Sequence, residues 1–138
     1  LSIMAFGNLK FDTLTTSDAK NTSTEKSVDT SFIYNGIPKA WNNINMTGTA
    51  AVRDSFNLSG FTDNGTGDFT VTVVSAMSDI NYAHLEGGGQ ANTSQIAVMQ
   101  QRSDHAPTTS SIRYQICFDD GDIYDAIFAS ISIIGESA

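Results

Sequence analysis

The stretch that most constrains the fold is residues 55–73, where apolar and small polar side chains alternate on both sides of a glycine-containing turn. Ser55-Phe56-Asn57-Leu58-Ser59 puts Phe56 and Leu58 on one side and three polar residues on the other, the two-residue period of a strand with one wet face. Asp63-Asn64-Gly65-Thr66-Gly67 supplies a turn with two glycines available for positive φ. The chain then runs back from Asp68 to Val73 with Phe69, Val71 and Val73 inward and threonines outward. A chain built around such a hairpin needs further strands to cover its apolar face.

Further strands follow. Val28, Thr30, Phe32 and Tyr34 share one parity and lead into Asn35-Gly36, a strong hairpin signal. The returning strand, 37–44, carries Pro38 at its start, where the missing N–H is tolerated, and Lys39 and Trp41 on one face. Strands are expected at 81–86, 94–101, 110–118 and 126–134, interrupted by Gly87-Gly88-Gly89 and His105-Ala106-Pro107. Within 110–118, Ile112, Tyr114, Ile116 and Phe118 alternate with Ser111, Arg113, Gln115 and Cys117. The last strand is apolar on both faces, which places it at the centre of a sheet or beneath another subunit. About eight short strands at this spacing predict an all-β fold, an antiparallel β-sandwich over 27–138. Its expected core includes Phe32, Trp41, Phe56, Leu58, Phe69, Val71, Val73, Tyr82, Ile112, Ile116 and Ile131. Trp41 reads as core packing in preference to an exposed platform for sugars.

Residues 1–26 read differently. A short alternation around Leu9 and Phe11 gives way at 16–24 to Ser, Thr, Asp, Asn and Lys with Ala19 alone apolar. Phe6, Leu9, Phe11 and Leu14 are too few to form a core, so this extended N-terminal arm is expected to dock elsewhere, the alternative being an ordinary strand and loop of the domain.

The charge divides in the same way. Residues 1–40 hold four lysines and four acids, whereas 41–138 hold three arginines and eleven acids, which accounts for the whole net charge of −8. That excess argues against binding nucleic acid or anionic membranes. No apolar run approaches the roughly 20 residues of a membrane span, so no membrane insertion is expected. Cys117 is the single cysteine, His84 and His105 lie far apart, and no phosphate-loop, dinucleotide or nucleophile-elbow motif occurs. No catalytic residue, metal or cofactor is expected. The acidic turns at 63–68 and 119–122 have oxygen ligands for calcium, but a tight turn explains every residue in each.

The middle of the chain carries a resemblance. Asn35-Gly36-Ile37-Pro38-Lys39-Ala40-Trp41, then Ala51-Val52-Arg53-Asp54-Ser55-Phe56-Asn57-Leu58-Ser59, then Thr62-Asp63-Asn64-Gly65-Thr66-Gly67-Asp68-Phe69-Thr70-Val71, then Ala76-Met77-Ser78-Asp79-Ile80-Asn81-Tyr82 stand in sequence. Over residues 32–83 this resembles a β-module of tailed-bacteriophage structural proteins, found near the C-termini of tail fibres and in short virion surface proteins of marine phages. The resemblance implies a non-enzymatic protein on the virion surface, a tail-fibre or receptor-binding-like module. Its implied partners are itself, as a homo-oligomer and most readily a trimer, other tail or capsid proteins, and a host surface glycan or receptor. In that setting Phe6, Leu9, Phe11 and Leu14 are the candidate virion anchor. The alternatives are a capsid (head) decoration protein and a carbohydrate-binding, lectin-like module, the last of which requires exposed aromatic side chains.

Overall fold

The computed structural model describes residues 12–15, 27–89 and 96–138. The chain forms two compact units, Leu1–Gly36 and Ile37–Ala138.

In the first unit, β1 (Thr13–Thr15) pairs antiparallel with β2 (Ser27–Asp29), with Leu14 opposite Val28. A helix, α1 (Thr30–Gly36), follows directly. The strand expected over 28–34 therefore ends at Asp29. Its carboxylate Oδ1 accepts a hydrogen bond from the Ser31 amide at 2.8 Å, the arrangement of a helix N-cap. Asn35-Gly36 ends this helix and does not form the expected hairpin. Phe32, expected in the core, is 73% exposed.

The second unit is an antiparallel β-sandwich. One sheet runs in the order β4 (Ala51–Phe56), β3 (Pro38–Asn45), β10 (Ala129–Ile134), β7 (Ala83–Gly88). The other runs β5 (Leu58–Gly65), β6 (Asp68–Val73), β9 (Ser111–Phe118), β8 (Ala97–Gln101). Every pairing is antiparallel. The core lies between them: Ala40, Ile44, Ile131 and Ile133 from the first sheet meet Phe69, Val71, Ile112, Tyr114 and Ile116 from the second. Fully burying a side chain of this class stabilises the fold by about 1.5–3 kcal/mol. The rings of Phe69 and Tyr114 lie 5.7 Å apart at its centre. Leu58 and Tyr82 pack against its margin.

β10 is a central strand, flanked by β3 and β7. Its inward side carries Ala129, Ile131 and Ile133, all buried, and its outward side Ser130, Ser132 and the half-buried Ile134, while Ile127 and Phe128 just before it are exposed. The central position expected for this strand is therefore the one it takes.

The chain passes from one sheet to the other at Asn57, between β4 and β5. This residue has φ of +57°, a left-handed conformation that asparagine tolerates better than most residues. Its Nδ2 donates to the Lys39 carbonyl (2.9 Å) and the Ser75 carbonyl (3.3 Å), and its Oδ1 accepts from the Ser75 amide (2.8 Å). The crossing has a consequence for sidedness. Phe56 and Leu58, expected on one inner face, belong to different sheets, and Phe56 points outward.

Candidate binding face

The outward face of the β4–β3–β10–β7 sheet follows from alternation and register. On β3, Ala40, Asn42 and Ile44 are buried, so Lys39, Trp41, Asn43 and Asn45 take the other side. Trp41 lies opposite Phe56 on β4 and Ser132 on β10, and Ser132 lies opposite Leu85 on β7. The result is a row, Phe56–Trp41–Ser132–Leu85, across all four strands. The next row is Asp54–Asn43–Ser130–Gly87. Trp41 is 39%, Phe56 54% and Leu85 61% exposed. Trp41 and Phe56, expected in the core, are corrected to surface positions. On β3 the reason is visible in hindsight: the parity of Trp41 is otherwise Lys39, Asn43 and Asn45, and the opposite parity supplies the core.

Between the ridges of Trp41 and Leu85 lies an open trough of about 470 Å³, whose lining includes Asn43, Gly87, Ser130 and Ser132. Small side chains on β10 and none at Gly87 make the depression. Its polar groups are held in place. Asn43 Nδ2 donates to Ser130 Oγ at 3.3 Å, and Arg53 Nη1 donates to Asn43 Oδ1 at 3.3 Å. Arg53 also donates to the Ile127 carbonyl and lies 4.3 Å over the ring of Phe128. A second hollow of about 460 Å³ borders Phe56, lined by Ile37, Pro38, Lys39, Asn57, Val74 and Ser75 among others.

The outward face of the other sheet is organised by charge. Asp68, buried despite its carboxylate, receives a bidentate pair from Arg113 (Nε to Oδ1 and Nη2 to Oδ2, both 2.7 Å) and a third bond from Arg102 Nη1 at 2.8 Å. Arg102 makes its own bidentate pair with Asp104, at 2.9 and 2.7 Å. Arg113 Nη1 donates to His105 Nε2 at 2.7 Å, so the ring proton sits on Nδ1, which faces Asp104 Oδ1 at 3.1 Å. The five side chains form a closed ring. Hydrogen bonding from Arg113 is the main cause that holds the Asp68 carboxyl below the ordinary carboxylate range, against the opposing effect of burial. Arg102 does the same for Asp104.

The carboxylates of the 63–68 turn have partners within the chain. Asp68 is neutralised by two guanidinium groups, and Asp63 Oδ1 accepts from the Gly65 amide at 3.0 Å. These carboxylates serve the hairpin. At 119–122, Asp120 Oδ1 accepts from the Asp122 amide and Gly121 takes φ of +93°, again a turn. Among the described residues no group of three or more His, Cys, Asp or Glu is placed to hold a metal ion.

His84 and Glu86 lie on the inward side of β7, with Nδ1 and Oε1 2.7 Å apart, and the His84 ring meets Tyr114 edge-on at 5.6 Å. Both side chains take the inward parity of the strand, and Glu86 is also among the residues that line the trough. Cys117 is a half-buried free thiol on β9, opposite Val98 of β8. Of the four arm residues singled out from the sequence, Leu14 lies in β1 and is 50% exposed, while Phe6, Leu9 and Phe11 lie outside the described residues. Asn43, Leu85, Ser130 and Ser132 escaped sequence reading because strand pairing, not local pattern, brings them together. No family model, curated protein or solved structure matches the chain.

Proposed function

We propose that this chain is a non-enzymatic, surface-displayed structural module of a tailed-bacteriophage virion, of the tail-fibre or receptor-binding kind. The sequence resemblance over 32–83 supplies the setting. The observation that carries the binding role is the row Phe56–Trp41–Ser132–Leu85, in which large apolar side chains stand outside a sandwich whose core is complete without them. Contiguous exposed apolar surface beside fixed polar groups is the composition of a contact surface. The concentration of acidic charge in residues 41–138 suits a domain that faces solvent. In this reading the chain acts as a homo-oligomer, a trimer by the resemblance, and the apolar residues of the leading segment, exposed Leu14 among them, engage another virion protein.

Mass spectrometry of purified particles whose genome encodes the chain tests the proposal. The expected result is the intact chain at a small multiple of copies per particle. Tens to hundreds of copies would turn the assignment to a head decoration protein. Absence from particles, with the protein found only in the lysate, would refute the virion role.

A further inference from the structure

We infer that the trough between Trp41 and Leu85 binds an uncharged glycan, with a sugar ring stacked on the Trp41 indole and its hydroxyls bonded to Asn43, Ser130 and Ser132. The inference rests on the reading of this sheet face as the one presented to a partner, and it names that partner's chemistry. A pyranose has an apolar C–H face and a rim of hydroxyls, each both donor and acceptor. The trough offers the matching pair of surfaces: an aromatic wall, 39% exposed, and a floor of amide and hydroxyl groups. About 470 Å³ is within the usual range for small-ligand sites. Asn43 is pre-oriented by its bonds to Ser130 and Arg53, so little side-chain freedom remains to be lost on binding.

Charge selects among glycans. An anionic sugar needs a free cation, and the two cations on this face are both engaged: Arg53 by Asn43, the Ile127 carbonyl and the Phe128 ring, and Lys39, two residues from Trp41 on β3, by a partner of its own. Asp54 stands beside Asn43 in the register, and the chain as a whole carries −8. Sialylated, sulfated or uronate-rich chains are therefore repelled, and neutral hexose and N-acetylhexosamine chains are the class that fits. A peptide or a second copy of this chain would cover the apolar row but leave the serine and asparagine groups to be matched by chance.

Trp41 is the single tryptophan of the sequence, so its emission reports this site alone. The full-length protein is applied to an array holding neutral and anionic glycans, and the neutral oligosaccharides it retains are titrated against Trp41 fluorescence. The expected result is retention by neutral glycans only and a saturable emission change. Trp41→Ala should weaken array binding by about tenfold or more, while Trp41→Phe keeps most of it. Asn43→Ala is the second variant, expected to weaken binding with the emission maximum of the free protein unchanged. Circular dichroism of each variant checks that the fold is retained. Retention by no glycan, retention confined to anionic glycans, or binding that survives Trp41→Ala each overturns the inference. So does a Trp41 emission that changes with protein concentration and ignores sugar, because that places a second copy on the face. Absence from particles with glycan binding intact would remove the virion reading and leave this inference standing; presence in particles with no glycan binding would do the reverse.

Discussion

Replacing Asn57 tests the sheet-to-sheet crossing directly. The side chain makes one part-buried hydrogen bond, to the Lys39 carbonyl, and two exposed ones, to the Ser75 carbonyl and amide. With about 1 kcal/mol for the shielded bond and about 0.5 kcal/mol for each exposed one, their loss costs about 2 kcal/mol. The backbone adds a separate contribution. At φ of +57° an alanine meets the left-handed penalty of about 1 kcal/mol, whereas glycine meets none. Asn57→Ala should therefore cost about 3 kcal/mol and Asn57→Gly about 2 kcal/mol, with melting temperatures lower by roughly 12 and 8 °C for a chain of this size. Urea unfolding followed by circular dichroism and by Trp41 fluorescence measures both. The difference between the variants isolates the backbone contribution, and the loss in the Gly variant alone reports the side-chain bonds. Equal stability of Ala and Gly variants would refute the strain argument. A loss below about 0.5 kcal/mol in both would refute the claim that Asn57 holds the crossing together.

The other predictions concern different parts of the sandwich. Gly67 has φ of +62°, and a Cβ there would stand 2.6 Å from the Ile116 carbonyl oxygen and 2.8 Å from that of Tyr124. Both obstacles are backbone, so Gly67→Ala should cost about 3 kcal/mol or more in a urea titration. Because the folded Asp68 carboxyl titrates below its unfolded value of about 3.9, its contribution is complete above that pH and is lost as pH falls through the folded value. The urea midpoint should thus hold steady from neutral pH to about 5 and drop below about 4, and Asp68→Asn should cost about 3 kcal/mol at pH 7 and flatten that drop. A chain beginning at Ile37 retains both four-stranded sheets and every core residue, so it should unfold cooperatively in calorimetry. On the proposed function it should no longer join particles, and normal incorporation would show that the leading segment is not the anchor.

The parts of the fold that were legible are those where one strand decides its own sidedness. Phe69, Val71 and Val73 on β6, and Ile112, Tyr114 and Ile116 on β9, alternate without exception, and all six are buried. The turn between β5 and β6 was legible because Gly65 and Gly67 supply the positive φ that it uses. Three features were not. The crossing at Asn57 reverses parity through one residue, and local alternation across 55–59 reads smoothly through it. α1 has seven residues, two turns, too short for a helical period to show, and its cap at Asp29 is a single side chain. The sidedness of β3 is the third, because Asn42, a polar residue, takes its buried side while Trp41 takes the wet one. The binding face depends on which strands are neighbours, and β3, β10 and β7 come from distant parts of the chain.

The closed ring of Asp68, Arg113, His105, Asp104 and Arg102 bears on how copies of this domain crowd together. Two arginines and two aspartates cancel inside it, so of the eleven acids in residues 41–138 nine remain, with Arg53 as their sole arginine counterpart. The domain is thus strongly anionic toward its surroundings, with two of its three arginines withdrawn into this clasp. At physiological ionic strength such a field decays over about 8 Å, a distance shorter than the domain's own width. Copies standing side by side would keep a thin cushion of water and counterions between them and be indifferent to copies further off. Added salt would compress that cushion and let them stand closer.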